Sequence, residues 1–364
     1  MDIIKIYDNS DKLYYIGGVV RDKLLGVESF DIDITCIGNA IEYCAKFGKV
    51  IQENPEFGTI RVEVDGRAVD FASTRSEVYE KKGHLPVVTK IGCTLKEDVM
   101  RRDFTINALA MNVSTGEIVD YTGGLEDLKN KELRVLHDGS FVDDPTRIIR
   151  GLKFRVRFGF ELEEHTRHLQ EDYLKNINYD MSYKRVKKEL IETFNLNSQH
   201  AFEIFVNEGI YKLVSPAEFR LPEVNIENLI KKYPVKNIWP VYVGLLPDLS
   251  RLEFTKEERK IIEDFRSIGS VKTDFEIYKA FDGLAAESIL LYGIAKNMNA
   301  AVRYLDVLCG IKISLSGNDL LKLGIEPSPK YQEIFDYILR EKLKNPALTH
   351  DDEIQLAKEY FTVN

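Results

Sequence analysis

Residues 14–35 read YYIGGVVRDKLLGVESFDIDIT, and this stretch decides the fold that we predict. A short β-like run ends at Gly17 and Gly18, a helical segment follows, and FDIDIT then alternates as a strand does. Glycines at such a turn let the backbone approach a phosphate while the N–H groups of the helix N-terminus point at the anion. An ordinary strand-to-helix turn has the same signature, so both interpretations stand at this point.

The two aspartates of FDIDIT occupy alternate positions, so both carboxylates leave the same face of a strand. Two neighbouring carboxylates repel unless a cation lies between them, and phosphoryl transfer uses Mg²⁺ held by carboxylates and phosphate oxygens. Asp31 and Asp33 are therefore predicted metal ligands, with a solvated strand face as the alternative. Asp70, in the strand-like RAVDFAS, is predicted to complete the metal site or to help deprotonate a hydroxyl, unless it only caps the next turn.

A second polar cluster lies in RRDFTINALAMN, where Arg101 and Arg102 precede Asp103. Asn107 follows Asp103 by four residues, which places both side chains on one face of a helix. We predict that Arg102 binds a triphosphate and that Asp103 and Asn107 bind ribose hydroxyls. The alternative is a helix start at which Asp103 is the N-cap residue and the arginines are solvated.

A third cluster, VDDPTRIIRGLKFRVRFGF, predicts a helix that begins at Pro145 with Asp144 as its N-cap residue. At the helical period its apolar residues form one arc and its basic residues gather on the other side. A solvated face is the usual role of such a stripe, but the absence of interspersed acids favours an anion-binding face. The predicted basic face consists of Arg147, Arg150, Lys153 and Arg157.

Asp144 and Arg147 stand three residues apart, so an acceptor can lie beside a donor fork. Cytosine and adenine both place an amino donor beside a ring-nitrogen acceptor, whereas guanine and uracil place a carbonyl beside a ring N–H. An Asp–Arg pair could therefore accept C and A and reject G and U. An ordinary capping aspartate in an ion pair remains the structural alternative.

In order and approximate spacing, GGVVRD, DID, RRDFTINALA, DYTGG and DDPTR resemble the motifs of class II tRNA nucleotidyltransferases and bacterial poly(A) polymerases. The resemblance implies an α+β fold with a polymerase-β-like nucleotidyltransferase head and mixed sheet (1–125). An all-α neck that recognises the base (126–200) and a helical body and tail that bind tRNA (201–364) would follow. It also implies metal ligands at Asp31 and Asp33 and nucleotide contacts from Gly18, Arg21, Arg102, Asp144, Arg147 and Arg150.

Three positions depart from the family motifs. Asp143 replaces a glutamate before the base-reading aspartate, Lys153 replaces an arginine, and Lys184 followed by Arg185 replaces a Glu-Arg pair. Lys153 still supplies a charge but not a fork, and we carry no role onto Lys184. The segment ASTRSEVYEKKGHLPVV matches a flexible loop of the family and is not shortened, which favours full CCA addition over CC addition.

The resemblance implies addition of C, C and A to the 3′ end of tRNA from CTP and ATP, with Mg²⁺ and without a nucleic-acid template. A CC-adding enzyme, an A-adding enzyme and a poly(A) polymerase are alternatives that the head motifs do not separate. A non-catalytic RNA-binding homologue is an alternative from another class. The paired aspartates argue against that last possibility.

Length and composition agree with this interpretation. The chain has 364 residues, 44% of them hydrophobic, and exceeds the roughly 250–300 residues at which one core stops growing. We expect a cytoplasmic protein without a membrane span, because neither a secretory signal nor a long apolar run is visible. The net charge of −9 requires that RNA bind to a local basic surface. The four cysteines show no metal-binding spacing and are expected to be buried thiols.

Overall fold

The computed structural model describes residues 11–28 and 32–363, so Asp31 lies outside the described residues. Within them the chain forms two compact units. The first runs to Phe219 and adds Asp248–Glu253, and the second comprises Arg220–Pro247 and the residues from Phe254 onward. The first unit therefore contains both the predicted head and the predicted neck.

All the strands of the described residues belong to the first unit. They are β1 (Leu13–Ile16), β2 (Asp33–Cys36), β3 (Lys49–Asn54), β4 (Thr59–Val64), β5 (Arg67–Ser73), β6 (Arg75–Val78), β7 (Val87–Ile91), β8 (Ala110–Asn112), β9 (Ile118–Val119), β10 (Glu132–Leu133) and β11 (Glu161–Leu162). Seven of them form one sheet in the order β3-β4-β5-β2-β1-β8-β9. Strands β2 and β5 pair in parallel and the other pairs of this sheet are antiparallel, so the predicted mixed sheet is confirmed.

The sheet has one buried face and one polar face. In β4 the buried residues Ile60, Val62 and Val64 alternate with the more exposed Thr59, Arg61 and Glu63. This period of two is the alternation expected of a strand with one buried face. The polar face is consequently available for a functional site.

The segment expected to be a flexible loop forms a second, two-stranded sheet. Strands β6 and β7 pair antiparallel, and Gly83 in the connection between them bonds to the helical part of the unit. The N–H of Gly83 donates to the carbonyl of Asp143, and the N–H of Ser182 donates to the carbonyl of Gly83. The charged and turn-rich residues 79–86 form no helix or strand, as their composition indicated, and the residues on either side of them pair as β6 and β7.

The helices of the first unit lie mainly after the sheet strands in sequence. They are α1 (Gly18–Leu25), α2 (Ala40–Cys44), α3 (Leu95–Met100), α4 (Gly124–Asn130), α5 (Ser140–Asp143), α6 (Thr146–Phe158), α7 (Glu164–Lys175), α8 (Tyr183–Phe194) and α9 (Gln199–Asn207), with short 3₁₀ helices at Ala45–Phe47, Thr105–Asn107 and Ile210–Leu213. Helix α6 begins one residue after the predicted start. Its residues Ile148, Ile149 and Leu152 are buried, as the predicted apolar arc requires.

In the second unit the described residues form helices and loops only, which confirms the helical remainder of the predicted fold. Its elements are α10 (Ile226–Lys232), α11 (Trp239–Val243), α12 (Lys256–Ser267), α13 (Asp274–Phe281), α14 (Ala286–Ala295), α15 (Met298–Asp306), a 3₁₀ helix (Leu308–Gly310), α16 (Gly317–Lys322), α17 (Lys330–Lys344) and α18 (His350–Val363). Two apolar clusters stabilise it, one around Phe281 and Tyr292 and one around Leu320 and Ile338.

Two further expectations concern the whole chain. No helix among residues 11–28 and 32–363 has the length and apolar character needed to cross a bilayer. Cys36, Cys44 and Cys93 are buried free thiols as expected, but Cys309 is exposed, so the expectation was wrong for that residue. Cys309 follows the end of α15, where the chain turns at the surface.

The Gly123–Gly124 junction of the DYTGG motif is a tightly packed turn. The carboxylate of Asp120 accepts hydrogen bonds from the backbone N–H groups of Thr122, Gly123, Gly124 and Leu125. A Cβ added to Gly124 would lie 2.3 Å from the carbonyl oxygen of Thr105. Contacts this close to rigid backbone leave no room for a side chain.

We expect Gly124→Ala to lower the free energy of unfolding of the first unit by at least about 2 kcal/mol, because α4 must move away from Thr105. Denaturant unfolding measures the change. Gly139→Ala is the matched control, since its Cβ would meet only His137, at an ordinary 3.4 Å. Equal stabilities of the two variants would contradict the packed junction.

Candidate active site

A cleft of about 470 Å³ opens on the polar face of the large sheet. Asp33 and Asp70 line it from neighbouring strands, and they are register partners in the parallel pairing of β2 with β5. Register partners point to the same face of a sheet, so the two carboxylates share one side of the cleft. The structure thus brings the predicted Asp33 and Asp70 together.

The donor chemistry of this cleft fits a hard divalent cation, which prefers carboxylate oxygens. Both carboxylate oxygens of Asp70 accept hydrogen bonds from Arg61, at 2.6 Å each, and Asp33 lines the same cleft. Within the described residues no group of three or more His, Cys, Asp or Glu side chains could hold a metal ion. The prediction that Asp31 is the second ligand concerns a residue outside that part of the chain.

Arg102 reaches the same cleft from the segment after α3. Its Nη2 donates to Asp98 at 3.2 Å, and a Cβ added to Gly17 would lie 3.2 Å from its Nη1. Gly18 begins α1 directly after this close approach. In the part of the chain that the structure describes, the buried Nε of Arg102 has no hydrogen-bond partner. An unsatisfied buried donor is costly, so an anion such as a phosphate would stabilise this guanidinium.

Asp98 holds the two arginines that precede Asp103. Its side chain is fully buried and pairs with Arg101 at 2.8 Å and with Arg102 at 3.2 Å. Burial by itself raises the pKa of Asp98, but the charges of Arg102 and Arg101 outweigh it and keep that pKa below its ordinary value. Asp98 therefore remains ionised and orients Arg102 toward the cleft.

Arg21 is buried behind the cleft and is not among the residues that line it. Its Nε and Nη2 donate to Asp22, and its Nη1 donates to Oδ1 of Asn107 at 2.6 Å. The guanidinium also lies over the rings of Phe154 and Phe158, at 5.0 and 4.6 Å from their centroids. These contacts give Arg21 a supporting position, and its predicted contact with the nucleotide stays a prediction.

Asp103 is the centre of a buried ionic network. Its Oδ1 accepts from the side chain of Asn107 at 3.0 Å, and its Oδ2 pairs with Arg150 at 2.7 Å. Burial by itself raises the pKa of Asp103, but the charge of Arg150 and the bond from Asn107 hold that pKa well below its usual range. The predicted α-helix does not form here, because only Thr105–Asn107 turn as a 3₁₀ helix, yet Asp103 and Asn107 still meet.

The basic face of α6 is largely neutralised by acids from other elements. Arg150 lies 3.6 Å from Glu189, and Lys153 lies 2.8 Å from Glu189 and also contacts Glu192. Both glutamates belong to α8. The charge of Asp103 raises the pKa of Arg150 above its usual value, so Arg150 is a permanent cation here. These pairs join α6 to α8 and to Asp103.

Asp144 and Arg147 are both buried, but each bonds to other groups rather than to the other's side chain. Oδ1 of Asp144 accepts from the backbone N–H of Thr146 at 3.2 Å, as an N-capping carboxylate does, and Oδ2 pairs with Arg185. Arg147 donates to Ser140 at 2.6 Å through Nη1. The contacts leave part of the hydrogen-bonding capacity of both groups for a ligand.

Two residues in this arrangement were missed by sequence reasoning. Arg185 of α8 pairs with Asp144 across 41 positions of sequence, and the hydroxyl of Tyr79 lies 3.2 Å from Nη2 of Arg147 across 68 positions. Arg185 carried a weak signal as the matched half of the Lys184-Arg185 motif. Tyr79 carried none, since its position depends on the β6–β7 pairing.

Comparison with known proteins agrees with the resemblance to tRNA nucleotidyltransferases and poly(A) polymerases that the sequence motifs indicated. Residues 13–134 match the family model described as the poly(A) polymerase head domain. An A-adding tRNA nucleotidyltransferase of Geobacter sulfurreducens is 33% identical over 98% of this chain and 46% of its own length. An A-adding tRNA nucleotidyltransferase of Halalkalibacterium halodurans is 28% identical over 96% of this chain and 88% of its own length. The chain is thus similar to poly(A) polymerase head domains over residues 13–134, and to A-adding tRNA nucleotidyltransferases over nearly all of its length.

Solved structures of the family have the same fold. A CCA-adding enzyme in an apo form superposes with a TM-score of 0.81 and 25% identity, covering 97% of this chain and 92% of the other. A CCA-adding enzyme with CTP superposes with a TM-score of 0.78 and 25% identity, covering 96% and 89%. The chain spans less than half the length of two of the curated relatives it matches.

We expect Asp103→Asn to lower the free energy of unfolding at neutral pH by about 2 kcal/mol, because Arg150 loses its buried counter-charge. A carboxylate with a depressed folded-state pKa stabilises the fold above its unfolded-state pKa of about 3.9, and this stabilisation is lost as pH falls toward the folded-state pKa. The difference between wild type and variant should therefore shrink below about pH 4.

Urea unfolding between pH 7 and pH 3 measures this difference. Asp138→Asn is the control, since Asp138 is 81% exposed in its side chain and pairs only with His165 at the surface, where ion pairs contribute little. A deficit in Asp103→Asn that is the same at every pH would show that the charge of Asp103 is not what stabilises the network.

Proposed function

We propose that this chain is a tRNA nucleotidyltransferase that extends the 3′ end of tRNA without a nucleic-acid template. The observation that carries the proposal is the cleft in which Asp33 and Asp70 stand side by side and Arg102 presents a buried, unsatisfied donor. Carboxylates for a cation beside a guanidinium for a triphosphate are what nucleotidyl transfer requires. The similarity to A-adding tRNA nucleotidyltransferases supports the same reaction.

In the proposed reaction a 3′-hydroxyl oxygen of the tRNA attacks the α-phosphorus of a nucleoside triphosphate. A new O–P bond forms, the bond from the α-phosphorus to the bridging oxygen breaks, and pyrophosphate leaves with the electron pair. Arg102 binds the triphosphate, and Asp103 with Asn107 positions the ribose. Carboxylates of the cleft accept the hydroxyl proton. Mg²⁺, bound by Asp33 and Asp31, would neutralise phosphate charge and activate the hydroxyl.

The proposed substrates are CTP and ATP, and the extent of addition has two candidates. Full CCA addition is the prediction from the unshortened β6–β7 segment. Addition of the terminal A alone is favoured by the names of the Geobacter and Halalkalibacterium relatives. Both candidates share transfer of AMP to a tRNA that ends in CC. Transfer of AMP to such a tRNA is therefore the core of the proposal.

Base selection is proposed to rest on Asp144 and Arg147. Asp144 supplies the acceptor for the amino group of C or A, and Arg147 supplies the donor for the ring nitrogen. Ser140 and Tyr79 hold Arg147, and Arg185 holds Asp144, so both side chains are oriented before a base arrives. Because these contacts fix both side chains, Asp144 and Arg147 can accept only base edges whose donors and acceptors match theirs.

The proposed function predicts nucleotide incorporation that depends on the 3′ end supplied. Purified protein with Mg²⁺ is given tRNA transcripts that end before the first C, after one C and after CC, with CTP, ATP or both. A CCA-adding enzyme incorporates C on the first two and A on the third, and an A-adding enzyme extends only the third. Asp33→Asn should abolish extension of all three, because the described metal ligand is lost.

Gel electrophoresis of the labelled products gives the outcome. Unlimited A-tailing would favour a poly(A) polymerase. No extension of any transcript by the wild-type protein would contradict the enzymatic function and favour a non-catalytic RNA-binding homologue.

The base-selection proposal predicts that Asp144→Ala and Arg147→Ala lower the ratio of ATP to GTP incorporation on tRNA ending in CC by about tenfold or more. The reason is that a mismatched edge is rejected through unpaired polar groups, which these variants no longer contain. Lys129→Ala, on the exposed end of α4, is the control and should keep the wild-type ratio. If Asp144→Ala and Arg147→Ala both keep the wild-type ratio of ATP to GTP incorporation, the assignment of base selection to these two residues is wrong.

A further inference from the structure

Four polar side chains form one row across neighbouring strands of the large sheet. Gln52 of β3 is the register partner of Arg61 of β4, Arg61 is the partner of Asp70 of β5, and Asp70 is the partner of Asp33 of β2. All four line the cleft. Adjacent strands lie about 4.8 Å apart, so the row leads stepwise from Asp33 toward the edge of the sheet. Beyond the two aspartates, the row consists of the polar Gln52 and the cationic Arg61.

A bulge in β3 puts Gln52 on this face. Val50 is the partner of Val62 and Gln52 is the partner of Arg61, so one extra residue, Ile51, lies between them. Without the bulge Val50 and Gln52 would share a face, because side chains alternate. The bulge instead places Gln52 beside Arg61 and Asn54 beside Thr59, both toward the cleft. We refer to Gln52, Asn54, Thr59 and Arg61 as the polar track.

Arg61 is held in the track by a two-pronged ion pair. Its Nε and Nη2 each lie 2.6 Å from one carboxylate oxygen of Asp70. Such fork-to-fork pairs fix the plane of the guanidinium. The Arg61 side chain nevertheless remains 47% exposed, so its cationic group faces the open cleft. Asp70 thus orients a cation at the surface of the cleft.

Arg61 and Arg102, two of the arginines that line the cleft, lie on opposite sides of Asp33. Arg102 lies against Gly17 at the end of β1, which is the neighbour of β2 on one side, whereas Arg61 is on β4, two strands away on the other side. In nucleotidyl transfer the attacking and leaving oxygens are roughly in line. A triphosphate bound by Arg102 therefore requires that the attacking 3′-hydroxyl approach from the side of Arg61.

We propose that Arg61 binds the phosphodiester next to the 3′ terminus of the RNA, and that Asp70 is a positioning residue that holds Arg61 there. The inference rests on the proposed function and identifies the residue that aligns the RNA 3′ end. Gln52 and Asn54 offer amide groups to sugar or phosphate oxygens farther along the same strand. The single-stranded end would then cross the sheet along the polar track.

The test is steady-state kinetics of AMP addition to tRNA ending in CC, with ATP and RNA varied separately. Arg61→Gln should raise KM for RNA about tenfold, the effect of losing one hydrogen bond to a charged group, while kcat and KM for ATP change less than about twofold. Arg61→Lys should recover part of the loss, because the charge remains without the fork. Arg67→Gln, exposed at the start of β5 and not among the residues that line the cleft, is the matched control and should behave as wild type.

A second measurement isolates the role of Asp70. Binding of the same RNA, measured by fluorescence anisotropy without ATP, should be weakened by Arg61→Gln in the wild-type background but changed less than about twofold in an Asp70→Asn background. An equal effect of Arg61→Gln in both backgrounds would overturn the positioning role. It would show that Arg61 binds RNA without being held by Asp70.

The outcomes separate the two proposals. If the wild-type protein extends no tRNA, the proposed function fails before Arg61 is tested. If wild type is active and Arg61→Gln raises KM for ATP rather than KM for RNA, Arg61 binds the nucleotide and the inference is wrong. Unchanged kinetics in Arg61→Gln would likewise overturn it, and a thermal melt of each variant shows that the fold is retained.

Discussion

The parallel pairing of β2 with β5 places the carboxylates of Asp33 and Asp70 next to each other on one face of the sheet. Two like charges at neighbouring register positions repel, so the surrounding structure has to supply positive charge. Arg61 does so for Asp70 from β4, and the chemistry of a divalent cation suits Asp33. On the other side of Asp33, Arg102 supplies positive charge for the phosphates of a substrate. The cleft is thus organised around one strand register.

Buried ionic contacts, rather than apolar packing alone, connect this cleft with helix α6. Asp103 pairs with Arg150, and Arg150 and Lys153 in turn contact Glu189 of α8. Removing one member of such a network leaves another charge uncompensated, which is why these contacts fix positions strongly. This network holds the side chain proposed to bind the ribose, whereas Arg185 holds Asp144 and the hydroxyls of Ser140 and Tyr79 hold Arg147. A network of this kind preorganises a site before its substrate binds.

The placement of individual charges in the fold matters more for phosphate binding than the net charge of the protein. The net charge of −9 opposes RNA binding, and the basic face of α6 was the predicted anion-binding surface. In the folded chain Asp103, Glu189 and Glu192 neutralise much of that face. Arg61 and Arg102 instead line the cleft, together with Arg75 and Arg101. Local placement, not the sum of charges, decides where a phosphate can bind.

Sequence alone determined the features that depend on short spacing. The alternation of FDIDIT predicted strand β2, the glycine turn predicted the start of α1, and the period of IIRGL predicted the buried side of α6. It also singled out Asp33, Asp70 and Arg102, because carboxylates and guanidinium groups in this order match nucleotidyltransferase motifs. The predictions of strand and helix were confirmed because each depends on residues only a few positions apart. The structure brings Asp33, Asp70 and Arg102 to one cleft, and their roles stay predictions.

Tertiary structure decided which of these groups meet. Arg61 faces Asp70 because β4 turns back on β5, and Arg185 reaches Asp144 because α8 packs against α6. Tyr79 reaches Arg147 through a hairpin that its composition did not indicate. Contacts between residues tens of positions apart depend on register and packing, which arise only when the whole unit folds. The kinds of residues in the site were therefore encoded locally, whereas their partners were set by the fold.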